Sequence, residues 1–201
     1  MTTLPIAVGL THDAERELER AFRRLAARHS SDFEIEQGCK LFSRWARNHR
    51  QRLGAAIEKH GKASNSDPAR LGRALFHGLR VGGFGLLRDL QDLLTLVHRA
   101  RNDWTVLTQA AKEIRDTQLA ETATEIGKEI DIMIDWVCAH IKIAAPQALT
   151  VPVDLPAELR GSIPRKMTTA VLPRVNFGSS IAVGVTFVAG LLAARALTAR
   201  K

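Results

Sequence analysis

Residues 86–144 read LLRDLQDLLTLVHRARNDWTVLTQAAKEIRDTQLAETATEIGKEIDIMIDWVCAHIKIA. Leu86, Leu90, Leu93, Val97, Ala100, Trp104, Leu107, Ala111 and Ile114 step by three and four along the chain. Leu119, Ala123, Ile126, Ile130, Met133, Val137, Ile141 and Ala144 do the same. Steps of three and four place side chains on one face of a helix, so the stretch predicts two amphipathic helices, 86–114 and 117–144. Only Arg115 and Asp116 separate them. A turn this short forces an antiparallel hairpin, about 40 Å long at roughly 1.5 Å per residue.

The same period continues upstream. Ala14, Leu18, Ala21, Phe22 and Leu25 form the stripe of a helix over 11–28, with Thr11 as its expected cap and Asp13, Glu15 and Glu17 in its first turns. Anions are favoured there by the helix dipole. Ile35, Cys39, Phe42, Ala46, His49, Leu53, Ala56 and His60 give a second helix over 32–60, with Ser31 and Glu34 at capping-box spacing and Gly61 as its stop. Residues 62–85 form a longer connection. Asp67 and Pro68 open a short helix in it, Leu71, Leu75 and Leu79 give that helix an apolar edge, and Gly82–Gly85 end it. Four long amphipathic helices with one longer connection predict an all-α, antiparallel four-helix bundle over 11–145, after an N-terminal extension of residues 1–10. No stretch alternates with period two, so no sheet is expected.

Composition agrees with one helical domain plus an appendage. The chain has 201 residues, 45% of them apolar, with two cysteines and no tyrosine. Cys39 and Cys138 are too few for a disulfide scaffold or a four-cysteine zinc site. Charge is uneven: residues 11–80 hold 15 Lys/Arg against 9 Asp/Glu, residues 81–150 hold 7 against 10, and residues 151–201 hold 7 against 2. The basic ends suit an anionic surface, lipid or nucleic acid.

Past residue 145 the pattern changes. Pro146, Pro152, Pro156, Pro164 and Pro173 predict a non-helical, proline-rich basic linker over 146–174. Residues 175–194, VNFGSSIAVGVTFVAGLLAA, carry no charge in 20 positions. That length suffices to cross about 30 Å of hydrocarbon, so a membrane helix is expected over 175–195, followed by a basic tail over 196–201. Val175, Phe177, Ile181, Val185, Val188, Leu191 and Leu192 would face lipid. Gly178, Ala182, Thr186, Gly190 and Ala194 recur every four residues, a ridge that lets helices approach closely in a bilayer. Arg165, Lys166 and Arg174 before the span, and Arg195, Arg200 and Lys201 after it, would reach headgroups. Residues 1–10 lack the basic and apolar regions of a secretory signal, which predicts a single-pass, tail-anchored protein with its bundle in the cytoplasm.

The stretches LLRDLQDLLTLV (86–97), WTVLTQAAKEIRDTQL (104–119) and IKIAAPQAL (141–149) resemble a family of uncharacterised bacterial proteins with a ferritin-like helical bundle. Trp45, His49 and the His60-Gly61 pair fit it less sharply. The resemblance covers about residues 10–150 and implies a fold rather than a reaction. Ferritin-like di-iron proteins need a Glu on two helices and Glu-x-x-His on two more. No Glu-x-x-His occurs in this chain, and the stripes of the 86–114 and 117–144 helices hold no carboxylate. Glu36 and His49 are the weak metal candidates that remain, and no cofactor and no catalytic residue is expected.

Trp45, Trp104 and Trp136 read as packing anchors, and Cys39 as a small core residue. Gly82–Gly85 is not a phosphate loop, because no strand precedes it and no Gly-Lys-Ser/Thr follows. Arg70, Arg73, His77 and Arg80 read as a solvated face. The expected function is a non-enzymatic scaffold at the membrane, with lipid and a second copy or another protein as partners and nucleic acid disfavoured. A ferritin-like metal or cofactor protein with a non-standard site, and binding of anionic lipid or nucleic acid through the basic first half, are the alternatives.

Overall fold

A three-residue turn decides most of the architecture. In the computed structural model, which describes residues 3–64, 66–78, 80 and 82–150, α5 (Gly82–Glu113) and α6 (Thr117–Thr150) are joined by Ile114, Arg115 and Asp116. Arg115 takes the left-handed backbone conformation (φ 57°), and the Asp116 carboxylate accepts from the backbone N–H of Leu119 at 3.2 Å, capping α6. Before them come α1 (Leu4–Arg28), α2 (Phe33–Arg52), α3 (Gly54–His60) and α4 (Asp67–Ala74). The fold is all-helical, with no strand among the described residues.

Side-chain contacts fix the directions. Phe22 meets Phe42 at 5.5 Å and Glu19 accepts from Arg47 at 2.8 Å, so α2 runs back along α1. Arg28 reaches Asp89 while Glu15 reaches Trp104, so α5 is also antiparallel to α1. Arg101 donates to Asp131 across the α5–α6 turn, and Arg52 pairs with Glu125 while Phe42 touches Trp136, so α6 opposes both α5 and α2. Since α2 and α5 run the same way, α3, α4 and their loops must carry the chain back from one end of the core to the other. That return passes over α1: the Ala63 N–H donates to the Pro5 carbonyl at 2.8 Å, and Arg24 stacks over Phe76 at 5.1 Å.

Close approach requires glycine at Gly85, where a Cβ would stand 2.3 Å from the Arg80 carbonyl carbon, and at two further positions. A Cβ on Gly9 would stand 1.8 Å from the Ala63 carbonyl oxygen, and one on Gly38 would stand 2.3 Å from the Trp136 ring. Trp104, Phe22, Leu18, Leu25, Leu90, Leu93, Ile126, Ile130 and Met133 are buried in the core between α1, α2, α5 and α6. Every interior member of the expected stripes is buried. At the ends, Leu86, His60, Ile141 and Ala144 are half-buried and Ile114 is exposed.

Several expectations are corrected. The segment 1–10 is no separate extension, because α1 starts at Leu4 with Pro5 in its first turn. Thr11 therefore lies inside the helix, its hydroxyl donating to the Ala7 carbonyl at 2.9 Å. Asp32, not Ser31, caps α2, accepting from the Ile35 N–H at 3.1 Å. The 32–60 helix breaks at buried Leu53. Gly82 and Gly83 begin α5, where an ending was expected. The linker does not start at Pro146: α6 runs through it to Thr150. Proline removes one N–H and crowds one carbonyl. Only one turn follows it, and that turn is held by Ala148, buried against Gly83, and by the Thr150 hydroxyl donating to the Pro146 carbonyl at 2.6 Å. Arg80 is not on a solvated face but turned inward onto Asp89 and Asp92. Residues 151–174, the expected span 175–195, the tail 196–201 and Leu79 lie outside the described residues. No helix among the described residues is long and apolar enough to cross a membrane.

Candidate functional site

The middle of α1 is acidic on its inner side. Glu15 stands three residues before Leu18 and seven before Phe22, so helical geometry turns it toward the core. Its side chain is 0% exposed. Two donors meet it. Trp104 of α5 donates its indole N–H to Glu15 Oε1 at 2.6 Å, and His49 of α2 places Nδ1 3.2 Å from the same oxygen. The other ring nitrogen of His49, Nε2, lies 3.0 Å from Glu129 of α6. Arg52 Nη1 stands 3.6 Å from the second oxygen of Glu129. Four helices thus each contribute a polar group to one buried chain: Glu15, His49, Glu129 and Trp104.

Burial alone would strip the proton from His49. The carboxylates on either side outweigh it, and the imidazole pKa is pushed up to about 9. His49 is therefore an imidazolium at neutral pH, donating from both nitrogens. Asp103, one residue before Trp104, is raised by burial and by the negative charge of Glu15, against the opposing pull of Arg99.

Two further carboxylates cap the ends of the core. Asp89, fully buried, accepts from Arg28 at 2.8 Å and sits 2.9 Å from His29 Nε2 and 3.3 Å from Arg80. Burial would raise it, but these hydrogen bonds and charges hold it below the usual carboxylate range. At the opposite end Asp116 meets His60 at 2.7 Å and Lys59 at 3.0 Å, which hold it down to about 2. His60 thus ends α3 paired with Asp116, beyond the dipole role its place before Gly61 suggests.

The sequence candidates divide. His49 is at the centre of the network, as a hydrogen-bonded core histidine. Glu36 is not brought to it: it lies on the outer side of α2, held by Lys40 at 2.7 Å. The expectation that the 86–114 and 117–144 helices turn no carboxylate inward is corrected by Asp89 and Glu129. Asp89 was legible, because it falls three residues after Leu86 and four before Leu93; Glu15 falls on its stripe in the same way. Glu129 was not, because it lies beside its stripe and reaches across to α2.

The central group does not suit a bridged metal pair. It brings together one imidazole and two carboxylates, without the Glu-x-x-His pairs on two helices that such a site needs. Among the described residues no group of three or more His, Cys, Asp or Glu is arranged to hold a metal ion. Cys39, against Asp32 and the core, is pushed up to about 12 mainly by burial, so its thiol is a poor nucleophile. Trp104 is fully buried, and Trp45 and Trp136 pack their edges on Phe42 at 5.2 and 5.3 Å. One concavity, about 30 Å³ between Arg52, Ala56, Lys59 and Asp116, has room for about a water molecule, and a larger open one of about 310 Å³ lies between Asp67, Arg70, Leu71, Ala74 and Arg99. Comparison with family models, with curated proteins and with solved structures returns no match to this chain. The arrangement can clamp helices in register by charge.

Proposed function

We propose that the chain is a non-enzymatic helical scaffold held at a membrane by residues 175–195. The observation that carries this reading is the uncharged run 175–194 between Arg174 and Arg195. Two features of the described residues support it. The last turns of α6, from which the chain continues toward that run, expose Ile143 (59%) and Leu149 (68%), and Phe33 (74%) lies on α2 near them, where Glu34 approaches His140 at 4.0 Å. The core is also closed by matched ion pairs rather than opened around a substrate. The small-residue ridge Gly178, Ala182, Thr186, Gly190 and Ala194 then joins copies within the bilayer.

The helix directions support the finer fold as well. α1, α2, α5 and α6 are read as a four-helix bundle running up, down, down and up. Its single crossover, through α3 and α4, is the connectivity of ferritin-like bundles. In this reading the His49 imidazolium stands between carboxylates where that fold carries metal.

Fractionation tests the tether. The full chain is expected in the membrane pellet after a high-salt wash, and a chain lacking 175–201 in the supernatant. A full chain that stays soluble without detergent, unchanged by the deletion, refutes the proposal.

A further inference from the structure

In the ion pairs that Glu17 and Glu19 of α1 make with Arg20, Arg47 and Arg50, the carboxylate lies inside and the base outside. Side-chain exposures are 60% for Arg20 against 10% for Glu17, and 52% for Arg47 against 8% for Glu19. Formal neutralisation therefore leaves a cationic outer surface. On α1, Arg20, Arg23 and Arg24 are exposed; on α2, Lys40, Arg44 and Arg47 are. The two helices are neighbours, joined by the Arg47 and Arg50 contacts to Glu19. α4 extends the same face beyond α1: Gly72 packs on Glu17, and Arg70 and Arg73 point to solvent. Arg23, Arg44 and Arg73 form no ion pair among the described residues. α6 has the opposite polarity, exposing Glu121, Glu125, Asp131 and Asp135.

We infer that the α2–α1–α4 face docks on an anionic membrane surface. This rests on the tethered reading above and adds to it the orientation of the body and the lipid it selects. The 24 residues from 151 to 174 span about 75 Å at roughly 3.1 Å per residue. That exceeds the roughly 38 Å length of the 25-residue α1, so the tether permits side-on contact. The acidic part of α6, from Glu121 to Asp135, is then kept off the lipid. Each base near an anionic surface contributes roughly five-fold to binding, so eight bases on one face make a composition-dependent contact. A single-stranded nucleic acid would need aromatic platforms among these bases. The one tryptophan there, Trp45, is half-buried against Phe42.

The test uses the full chain in nanodiscs of phosphatidylcholine, with or without about one-third phosphatidylglycerol. Phenylglyoxal modification of each arginine is read by mass spectrometry. At about 0.1 M salt, labelling of Arg20, Arg23, Arg44 and Arg73 is expected to fall at least about five-fold in the anionic discs, and to return at about 0.5 M. Arg101 and Arg115 should not respond. Combined Arg23→Glu, Arg44→Glu and Arg73→Glu should remove the lipid dependence while leaving the far-UV circular dichroism unchanged.

Equal labelling in the two discs overturns the inference. So does stronger protection by a DNA duplex at matched phosphate concentration, or protection in neutral discs that grows with protein density, the mark of a second copy. Loss of the chain from neutral discs in high salt would refute the tether alone. The same labelling with free anionic vesicles would then still decide the face.

Discussion

Raising the pH from 6.5 to 9 should destabilise this protein through one residue. His49 has a folded pKa of about 9 against the ordinary histidine value of 6.5. A histidine whose pKa rises on folding contributes stability that is complete below 6.5 and is lost as pH climbs through 9. The shift corresponds to about 3 kcal/mol at roughly 1.4 kcal/mol per unit, with a slope near its middle of about 1.4 kcal/mol per pH unit. Other displaced groups act outside this window. His12 is held below 6.5 mainly by burial, so it weakens the fold only on the acid side. Cys39, lifted from 9.0 to about 12, adds its loss above pH 9. The assay is urea unfolding of the full chain in mild detergent at half-unit pH steps, followed by circular dichroism. His49→Gln should be less stable at pH 6.5 by about 3–5 kcal/mol, because it leaves Glu15 buried without its counter-charge. Its slope between 6.5 and 9 should be nearly flat, so the two proteins converge. Equal slopes for wild type and His49→Gln would refute the account of the buried network.

Trp104→Phe removes the donor to Glu15 at 2.6 Å and leaves a cavity where the larger indole was packed; a loss of about 2–5 kcal/mol is expected in the same urea titration. Gly9→Ala should cost about 1–3 kcal/mol or more by pushing on the Ala63 carbonyl, whereas Gly54→Ala, which meets nothing within 4 Å, should be neutral or gain up to about 1 kcal/mol; thermal melts of the two variants compare them. Asp116, depressed to about 2, contributes stability that is present above 3.8 and lost as pH falls toward 2. Asp116→Ala should therefore lower the melting temperature at pH 7 and flatten the acid limb between those values; an unchanged acid limb would count against it.

The helices, and which of their faces turn inward, were legible because burial repeats along the chain with the helix's own period. Leu90, Leu93, Val97, Ala100, Trp104 and Leu107 needed no partner to be recognised as core, and neither did Ile126, Ile130 and Met133. The tight turn at Arg115 and Asp116 was legible for the same local reason, although α5 ends one residue earlier, at Glu113. Helix ends were less so. Pro146 reads as a stop, and the packing of Ala148 on Gly83 and the Thr150 hydroxyl bond to the Pro146 carbonyl carry α6 past it.

The polar interior was decided by tertiary structure. Glu15 sits on a stripe yet looks like a first-turn anion until α1 is seen to begin at Leu4. Glu129 lies beside its stripe, 80 positions from His49. A carboxylate's choice between solvent and core depends on what arrives opposite it from distant parts of the chain. Periodicity within one helix carries no information about that, and the Coulomb energy of the pair appears only once α1, α2, α5 and α6 are assembled.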